Sequence, residues 1–402
     1  MVDVAIIHMD MMAKGGGEAV AMNALEALQT DHDVTLLTLT TPDFEELNDY
    51  FNTDVQDITV RKAGRIAPAI HDHYGIKYYI LQNALLGRYA KRHADEFDLL
   101  ISTINELGLE SDSIQYIHFP FDWTVSLDNR DQIFHPGVEE ESLYERFCTR
   151  ISGVDRQDIQ SNILLANSEW TADVVEDAYG THPQILHPPI DTSEFDPRPW
   201  DEREDGFVTI GRIERSKRID ELIRIVDGVR ARGHDIHFHI IGPTVDEEYR
   251  TEVAEMAADR DYIYLEGEIP RSDLVERICA HKYGIHGKEF EHFGMAVAEL
   301  AAGGTVTFVP DSGGQHAIVD DNDSQLFGSS EDAVEKISAV ASTPSKQRDC
   351  QMTTSEIERR FGRDRFRQQF RAVVDKTLDH STSGTVPDIV DQSRQPRVRV
   401  ND

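Results

Sequence analysis

Short apolar stretches alternate with longer amphipathic stretches along most of the chain. Apolar runs of strand length predict buried parallel strands, and apolar positions spaced three and four residues apart predict the helices that cover them. The alternation occurs twice, and it predicts an α/β protein with two doubly wound domains. Strands are predicted at residues 4–8, 34–39, 99–102, 114–118, 163–166 and 184–186, and again at 207–210, 236–241, 262–265, 283–286 and 305–309. Helices are predicted at residues 18–28, 77–93, 171–178, 220–232, 247–258, 272–279 and 295–302.

A polar, proline-bearing stretch at residues 196–205 separates the two patterns and predicts an interdomain linker. It divides an N-terminal domain, residues 1–195, from a C-terminal domain, residues 196–355. A last helix at residues 356–378 is expected to pack back on the N-terminal domain, and the polar composition of residues 379–402 predicts a disordered tail. Two such domains bind ligands in the cleft at the carboxyl ends of their strands.

Acidic residues outnumber basic ones, 74 against 40, and give a formal net charge of −34. A field of this sign repels nucleic acid, so we expect no nucleic-acid partner. Only ten of the forty basic residues are lysine. An acidic, lysine-poor globular chain is typical of a halophilic protein, because molar salt shortens the Debye length to about 3 Å and screens the repulsion.

The three cysteines, Cys148, Cys279 and Cys350, form no closely spaced pair. A disulfide framework and a structural zinc site are therefore not expected, and the histidines are dispersed, so we expect no metal ion. The chain has no apolar run long enough to span a bilayer, and its first residues predict a buried strand instead of a signal peptide. These features favour a cytoplasmic location.

Two glutamates, Glu291 and Glu299, flank the predicted start of a helix. If the segment were helical throughout, the two carboxylates would lie about 12 Å apart along its axis, which is roughly the reach of a nucleotide sugar from hexose to ribose. The helix opens at Phe293, Gly294 and Met295, where free N–H groups favour a diphosphate. An ordinary amphipathic helix with surface acids would give the same spacing.

Two basic residues, Arg212 and Lys217, follow the predicted strand at residues 207–210. Such a pair can neutralise a diphosphate without a metal ion, although a solvated pair in a turn has the same pattern.

Three glycines, Gly15 to Gly17, follow the first strand and allow backbone amides to approach a phosphate or a sugar. This run lacks the P-loop and dinucleotide-binding motifs, so alone it is a weak signal.

The histidine His118 ends the predicted strand at residues 114–118. A histidine at a strand end can face the ligand cleft, but a hydrogen-bonded core histidine is as common.

The order and spacing of these four elements resemble glycosyltransferase family 4, whose members have the GT-B fold, two Rossmann-like domains facing a central cleft. The resemblance covers about residues 4–378.

The resemblance is most specific at residues 291–299, which match the family's E-x(7)-E pattern, and at residues 211–217, which match G-R-[LI]-x-x-x-K. Residues 166–171 and 187–195 match two further family segments. The sequences of residues 15–18, 116–120 and 291–294 are most like those of the α-1,2-mannosyltransferases that extend dolichol-linked oligosaccharides.

The resemblance implies a retaining hexosyltransferase that needs no metal ion or cofactor. Arg212 and Lys217 would bind the diphosphate of the donor, a GDP- or UDP-hexose, while Glu291 would bind the mannose or glucose and Glu299 the ribose. His118 would approach the hexose from the N-terminal domain. The acceptor would be a glycan or a polyprenyl-linked oligosaccharide.

The resemblance also implies that the glycines Gly15, Gly16 and Gly17 cradle the diphosphate or the acceptor, and that the helix start at Phe293–Met295 contacts the donor. Gln315 stands where the family often has proline, and His316 stands where it often has an acid. Because of these departures, the resemblance does not determine the preferred sugar and base. The expected reaction is unaffected.

Residues 61–93 form a basic, aromatic and amphipathic segment with seven basic residues and one aspartate. Such a segment is typical of a peripheral contact with a membrane surface, which a lipid-linked acceptor would need. A packed helix whose basic residues pair with acidic neighbours would have the same composition.

Two other functions remain open: a GT-B sugar-nucleotide epimerase, and a catalytically inactive GT-B protein that binds a sugar nucleotide or a partner transferase.

Overall fold

Two parallel β-sheets form the framework of the protein in a computed structural model that describes residues 1–109, 112–120 and 143–383. The first sheet has seven strands in the order β3-β2-β1-β4-β5-β6-β7. Its strands are β1 Val2–Ile7, β2 His32–Thr38, β3 Thr59–Lys62, β4 Leu99–Ser102, β5 Ile114–Ile117, β6 Ile163–Ala166 and β7 Gln184–Ile185.

The second sheet has six strands in the order β10-β9-β8-β11-β12-β13. Its strands are β8 Glu204–Ile210, β9 His237–Ile241, β10 Ile263–Gly267, β11 His281–Ile285, β12 Val306–Pro310 and β13 Leu326–Phe327. All the strand pairs described are parallel. The predicted α/β class with two doubly wound sheets is therefore confirmed.

Helices cover both sheets. Those of the first half are α1 Gly16–Leu28, α2 Phe44–Phe51, α3 Ile66–Tyr74, α4 Tyr79–Arg92, α5 Leu143–Ser152, α6 Arg156–Ser161 and α7 Glu169–Tyr179. Those of the second half are α8 Ile219–Ala231, α9 Glu247–Ala257, α10 Arg271–Ala280, α11 Met295–Ala302, α12 Ser330–Ala341, α13 Pro344–Cys350, α14 Thr354–Phe361 and α15 Arg363–Ser383.

Alternate side chains of the central strands enter different cores. Val4 and Ile6 of β1 pack in the core that contains α1, whereas Ala5 and Ile7 pack with residues of α4. In the second sheet the neighbouring residues of β8 also divide between two cores. Each sheet is thus buried on both faces, which is why its strands are almost continuously apolar. Ligands can reach these sheets only at the strand ends.

The last described part of the chain forms two helices, where the sequence predicted one at residues 356–378. Gly362 separates α14 from α15 with an extended backbone, and α15 continues to Ser383, so residues 379–383 are not part of a disordered tail. The rest of the predicted tail, residues 384–402, lies outside the described part of the chain. The last helix packs back on the first domain, because Phe366 and Phe370 are buried in the core that contains α1.

The predicted linker at residues 196–205 is held against the second domain. Glu204 and Asp205 already belong to β8. The buried guanidinium of Arg203 donates to the carbonyl oxygen of Gly303 at 3.2 Å and to that of Gly304. Within the described ranges, no helix is both long and apolar enough to cross a bilayer.

Candidate functional site

The carboxylate of Glu291 lies at the carboxyl edge of the second sheet, surrounded by three nitrogen donors. Lys217 Nζ lies 3.0 Å from Glu291 Oε2, and Lys288 Nζ lies 3.2 Å from Oε1. His286, directly after β11, places Nε2 at 3.1 Å from Oε2. The structure thus brings together Glu291 and Lys217, two residues that the sequence places 74 positions apart.

Burial and charge act in opposite directions on this cluster. Burial alone would raise the pKa of Glu291, but Lys217, His286 and Lys288 hold it well below its usual range. Burial lowers the pKa of Lys217, and the charge of Glu291 opposes that effect. Glu291 is therefore ionised at neutral pH, and its carboxylate can only accept hydrogen bonds.

The loops that hold this cluster depend on close backbone packing. Gly211 follows β8 and Gly242 follows β9, and a Cβ at Gly242, whose φ is 148°, would overlap the carbonyl oxygen of Gly211. Lys217 ends a short 3-10 turn, Arg215–Lys217, and its Cε lies 3.6 Å from the position of a Cβ at Gly211. Only glycine permits the close approach of Gly242 to Gly211, and the side chain of Lys217 packs over Gly211 at van der Waals distance.

A second loop fixes the main chain of Glu291. Gly314 N donates to Glu291 O at 2.7 Å. The side-chain amide of Gln315, which is fully buried, donates to the carbonyl oxygens of Lys288, Pro310 and Ser312 at 3.0–3.2 Å. Gln315, which departs from the family pattern, therefore ties the strand end of β12 to the loop that carries Glu291.

Helix α11 begins at Met295, so Glu291 precedes it, and the fully helical spacing considered from the sequence does not apply. Gly294, with φ 102°, is its N-cap, and no side chain caps its first turn. The free N–H groups of this turn favour an anion. Glu299 lies in the second turn of α11 and pairs with Arg271 at 2.8 Å. Arg271 also pairs with Glu194 at 2.8 Å.

Across the cleft, the glycine run opens helix α1. Gly15 is its N-cap, and Gly15 N donates to Glu18 Oε2 at 2.6 Å. A Cβ at Gly16 would lie 2.6 Å from Met295 Sδ, and one at Gly17 would lie 3.6 Å from His118 Nε2. Gly16 and Met295 therefore bring the two helix N-termini against each other, one from each domain.

The ring of His118 is partly buried beside the glycine run. Its Nε2–H donates to the carbonyl oxygen of Thr103 at 3.1 Å, which leaves the lone pair on Nδ1. Burial lowers the pKa of His118 to about 4, although the hydrogen bond to Thr103 opposes the shift. The imidazole is thus neutral near pH 7 and is an acceptor or a polar contact there, not a cation.

An aromatic layer closes the same end of the cleft. The ring of His292 stacks on Phe119 at 4.5 Å and on Trp170 at 6.0 Å between centroids. Ser168 Oγ donates to the carbonyl oxygen of His292 at 2.5 Å, and this bond joins the two domains. Burial lowers the pKa of His292 to about 3. A flat apolar wall beside charged groups suits a sugar ring with hydroxyl groups at its edge.

Two predicted residues stand apart from the cluster. The side chain of Arg212 is 62% exposed and lies 3.3 Å from Glu214 instead of contacting Glu291. Phe293 is buried, with its ring 5.5 Å from His187 and 5.4 Å from Phe361. Its side chain therefore packs in the core of the second domain, and only its main chain lies at the helix start.

Sequence reasoning missed His286, Lys288 and Arg271 as site residues. Lys288 had a signal, because it is one of only ten lysines and lies three residues before Glu291. Trp170 lies in residues 166–171, which were noted only as a family segment. Arg271 had no local signal, because its pairing with Glu194 and Glu299 arises only when α10 packs beside α11.

The basic segment at residues 61–93 is partly paired. Arg61 lies 2.7 Å from Glu96, and Lys91 lies 3.6 Å from Asp158. In contrast, Ile66 and Tyr74 are 67% and 49% exposed. The segment therefore combines packed basic residues, as the alternative interpretation expected, with exposed apolar ones.

Comparison with known proteins agrees with this architecture. Residues 191–356 match the family model "Glycosyl transferases group 1". Over these residues the chain is similar to the glycosyltransferases of group 1. The chain is 23% identical over 389 residues to the mouse GDP-Man:Man(3)GlcNAc(2)-PP-Dol alpha-1,2-mannosyltransferase, covering 81% of this chain and 76% of that protein. The human protein of the same description is 21% identical and covers 93% of this chain and 86% of its own length.

Solved structures share the fold at low identity. The sucrose-phosphate synthase of Thermosynechococcus elongatus matches with a TM-score of 0.69 and 14% identity over 94% of this chain and all of the synthase. HepE of Anabaena in complex with UDP matches with a TM-score of 0.67 and 13% identity over the same shares. The resemblance to GT-B glycosyltransferases predicted from the motifs is thereby confirmed.

Proposed function

We propose that the protein transfers a mannosyl residue from GDP-mannose to a lipid-linked oligosaccharide, with retention of configuration and without a bound metal ion. The similarity to the two mannosyltransferases supports the choice of sugar, nucleotide and acceptor. The observation that carries the proposal is the cluster of Glu291, Lys217 and Lys288 beside the open N-terminus of α11.

The charge of the cluster fits a diphosphate. Two lysines and one glutamate give a local charge of +1, in a chain whose net charge is −34. The exposed side chain of Arg212, five residues from Lys217, can reorient toward the same place. Cations and helix N–H groups then offset the charge that develops on the departing diphosphate, the task that a metal ion performs in other enzymes.

The remaining groups fit a hexose and a ribose. The ionised Glu291 accepts hydrogen bonds from hexose hydroxyls, and neutral His118 approaches the sugar from the first domain with its Nδ1 lone pair. Glu299, one helical turn beyond Met295, accepts hydrogen bonds from ribose hydroxyls. Arg271 holds its carboxylate in place, and the main chain at Gly15–Gly17 borders the diphosphate or the acceptor.

A lipid-linked acceptor requires that the cleft approach a membrane. The rings of Tyr74, Tyr78 and Tyr144 form a chain with centroid separations of 5.2 and 6.4 Å. Phe147 on α5 and Ile66 on α3 are 58% and 67% exposed. We assign this surface, with the exposed Lys77 beside it, to a peripheral contact with the cytoplasmic face of a membrane.

The test is a transfer assay in molar salt. The protein should move radiolabelled mannose from GDP-mannose to polyprenyl-linked oligosaccharide, the new bond should be α by NMR, and the rate should persist in EDTA. UDP-glucose is the comparison donor. Binding of the nucleotide sugar with no transfer to any lipid-linked glycan would instead support the inactive binding protein, and release of an altered sugar nucleotide would support the epimerase.

Glu299→Gln should weaken binding of GDP, because a charge-assisted hydrogen bond to the ribose, about 1–3 kcal/mol, is lost. Glu291→Gln should leave GDP affinity nearly unchanged and lower kcat, since its carboxylate contacts the hexose. Isothermal titration of both variants with GDP measures the difference.

Glu194→Gln is the matched control, because it removes the other carboxylate that pairs with Arg271. If it weakens GDP binding as much as Glu299→Gln does, the effect comes from a displaced arginine and not from the ribose. If Glu291→Gln alone weakens binding, the roles of the two glutamates are reversed.

A further inference from the structure

Three histidines meet at the edge of the second sheet that lies opposite the cleft. His237 is the first residue of β9, and His281 is the first residue of β11. His239 follows two positions after His237 and therefore points to the same face of the sheet. One ring nitrogen of each histidine lies within 4.8 Å of the other two.

Strand β8 lies between β9 and β11, and a glycine on β8 leaves space for the imidazole rings. Gly206 on β8 is in register with His237, and a Cβ at Gly206 would lie 2.7 Å from atoms of both His237 and His281. The two Nε2 atoms of these histidines are 2.8 Å apart. Two nitrogens bound to one tetrahedral zinc ion lie about 3.3 Å apart, since each Zn–N bond is about 2.0 Å, so small ring movements suffice.

Outer hydrogen bonds set the tautomers of two of the rings. His281 Nδ1–H donates to the carbonyl oxygen of Arg277 at 2.6 Å. His239 Nδ1–H donates to the carboxylate of Glu266, which in turn accepts from Arg277 at 3.2 Å. Each ring therefore keeps its lone pair on Nε2, and such acceptors behind the rings are the usual partners of metal-binding histidines.

A carboxylate stands beside the cluster. Glu204 Oε2 lies 3.6 Å from His237 Nε2 and 4.0 Å from His281 Nε2, and its side chain is half exposed. We propose that the three histidines, with Glu204 as the fourth ligand, bind a divalent transition-metal ion such as Zn²⁺. The ion joins β8, β9 and β11 and stabilises the second domain at a distance from the transfer reaction.

The proposed ion would lie away from the transfer site, so it is compatible with a reaction that needs no metal ion. The proposal does not rest on the proposed function. The sequence predicts dispersed histidines, but His237 and His239 form an H-x-H pair on one strand. Imidazole nitrogens with one carboxylate are a donor set that suits zinc, cobalt or nickel better than magnesium or calcium.

The test uses the full chain without an affinity tag, stripped with EDTA and then titrated with Zn²⁺ by calorimetry and with Co²⁺ by visible absorption. We expect the cluster to bind one ion with a tetrahedral cobalt spectrum. At a Zn²⁺ concentration about one hundred times Kd, Tm should rise by about 5 °C or more. His237→Gln should weaken binding about 100-fold, and Glu204→Gln about tenfold.

His182→Gln is the matched control, because it alters the exposed group of Asp173, Glu176 and His182, the other arrangement with metal-ligand spacing in the described ranges. It should leave the cobalt spectrum unchanged. The proposal is overturned if the unaltered chain binds Zn²⁺ no more tightly than His237→Gln does, or if His182→Gln alone removes binding. Glu204→Gln, at a half-exposed site, provides the test even if His237→Gln does not fold.

Discussion

Lys217→Met should lower kcat for sugar transfer by about 100-fold or more, because the lysine cation opposes charge that develops on the diphosphate only in the transition state. Methionine keeps the aliphatic contact with Gly211 and removes the ammonium group that lies 3.0 Å from Glu291. Steady-state kinetics with GDP-mannose measure the loss, and circular dichroism verifies the fold.

Arg215→Ala is the control for this prediction. Arg215 belongs to the same 3-10 turn, but its side chain is 54% exposed and pairs with Glu252 at 2.6 Å. Its removal should change kcat less than about twofold, since a surface ion pair contributes little. Near-normal kcat in a folded Lys217→Met variant would show that this lysine only balances the charge of Glu291.

Acid should destabilise the protein from about pH 6.5 downward, so the loss of stability begins above the pH range in which most carboxylates titrate. Burial lowers the pKa of His118 and His187 to about 4 and that of His292 to about 3. In the unfolded chain each has a pKa near 6.5. Between these values the unfolded state binds more protons, so the free energy of unfolding falls as pH falls, by about 1.4 kcal/mol per pH unit for each histidine.

Urea denaturation in molar salt at pH 7, 6 and 5 measures this slope. His187→Phe keeps an aromatic ring between Phe293 and Phe361 but cannot take up a proton. Its stability should depend less steeply on pH, by about one proton. A free energy of unfolding that does not change between pH 7 and pH 5 would contradict the prediction.

Most of the fold could be predicted from the sequence because buried strands carry their own signal. The strands next to the sheet centres are continuous apolar runs, and each was predicted within a few residues. In contrast, β3 at the edge of the first sheet has only one apolar residue, Val60, which is 37% exposed. An edge strand has one neighbour, so its residues need not be apolar. The other missed strand, β13, has two buried apolar residues, Leu326 and Phe327, and is too short to give a periodic signal.

The part of the candidate site that lies within short sequence motifs could be predicted. The motifs identified Glu291 and Lys217, but nothing in them shows that His286 and Lys288 complete the cluster. That contact depends on how the loop after β11 folds over Gly287, where a Cβ would lie 2.5 Å from the carbonyl oxygen of Lys217. The role of Arg271 depends similarly on its contacts with Glu194, which lies 77 positions earlier, and with Glu299 on another helix.

The return of the chain at Gly362 gives the cleft two covalent crossings between its domains. Ile190 on the outward crossing donates its N–H to the carbonyl oxygen of Phe361 on the return crossing at 2.8 Å. The two segments therefore lie side by side as a paired hinge. Rotation about the line through both crossings would keep this hydrogen bond, whereas sliding of one crossing past the other would break it. We therefore expect any opening of the cleft to follow one axis, so that the two helix N-termini that meet at Gly16 and Met295 would separate and return in the same register.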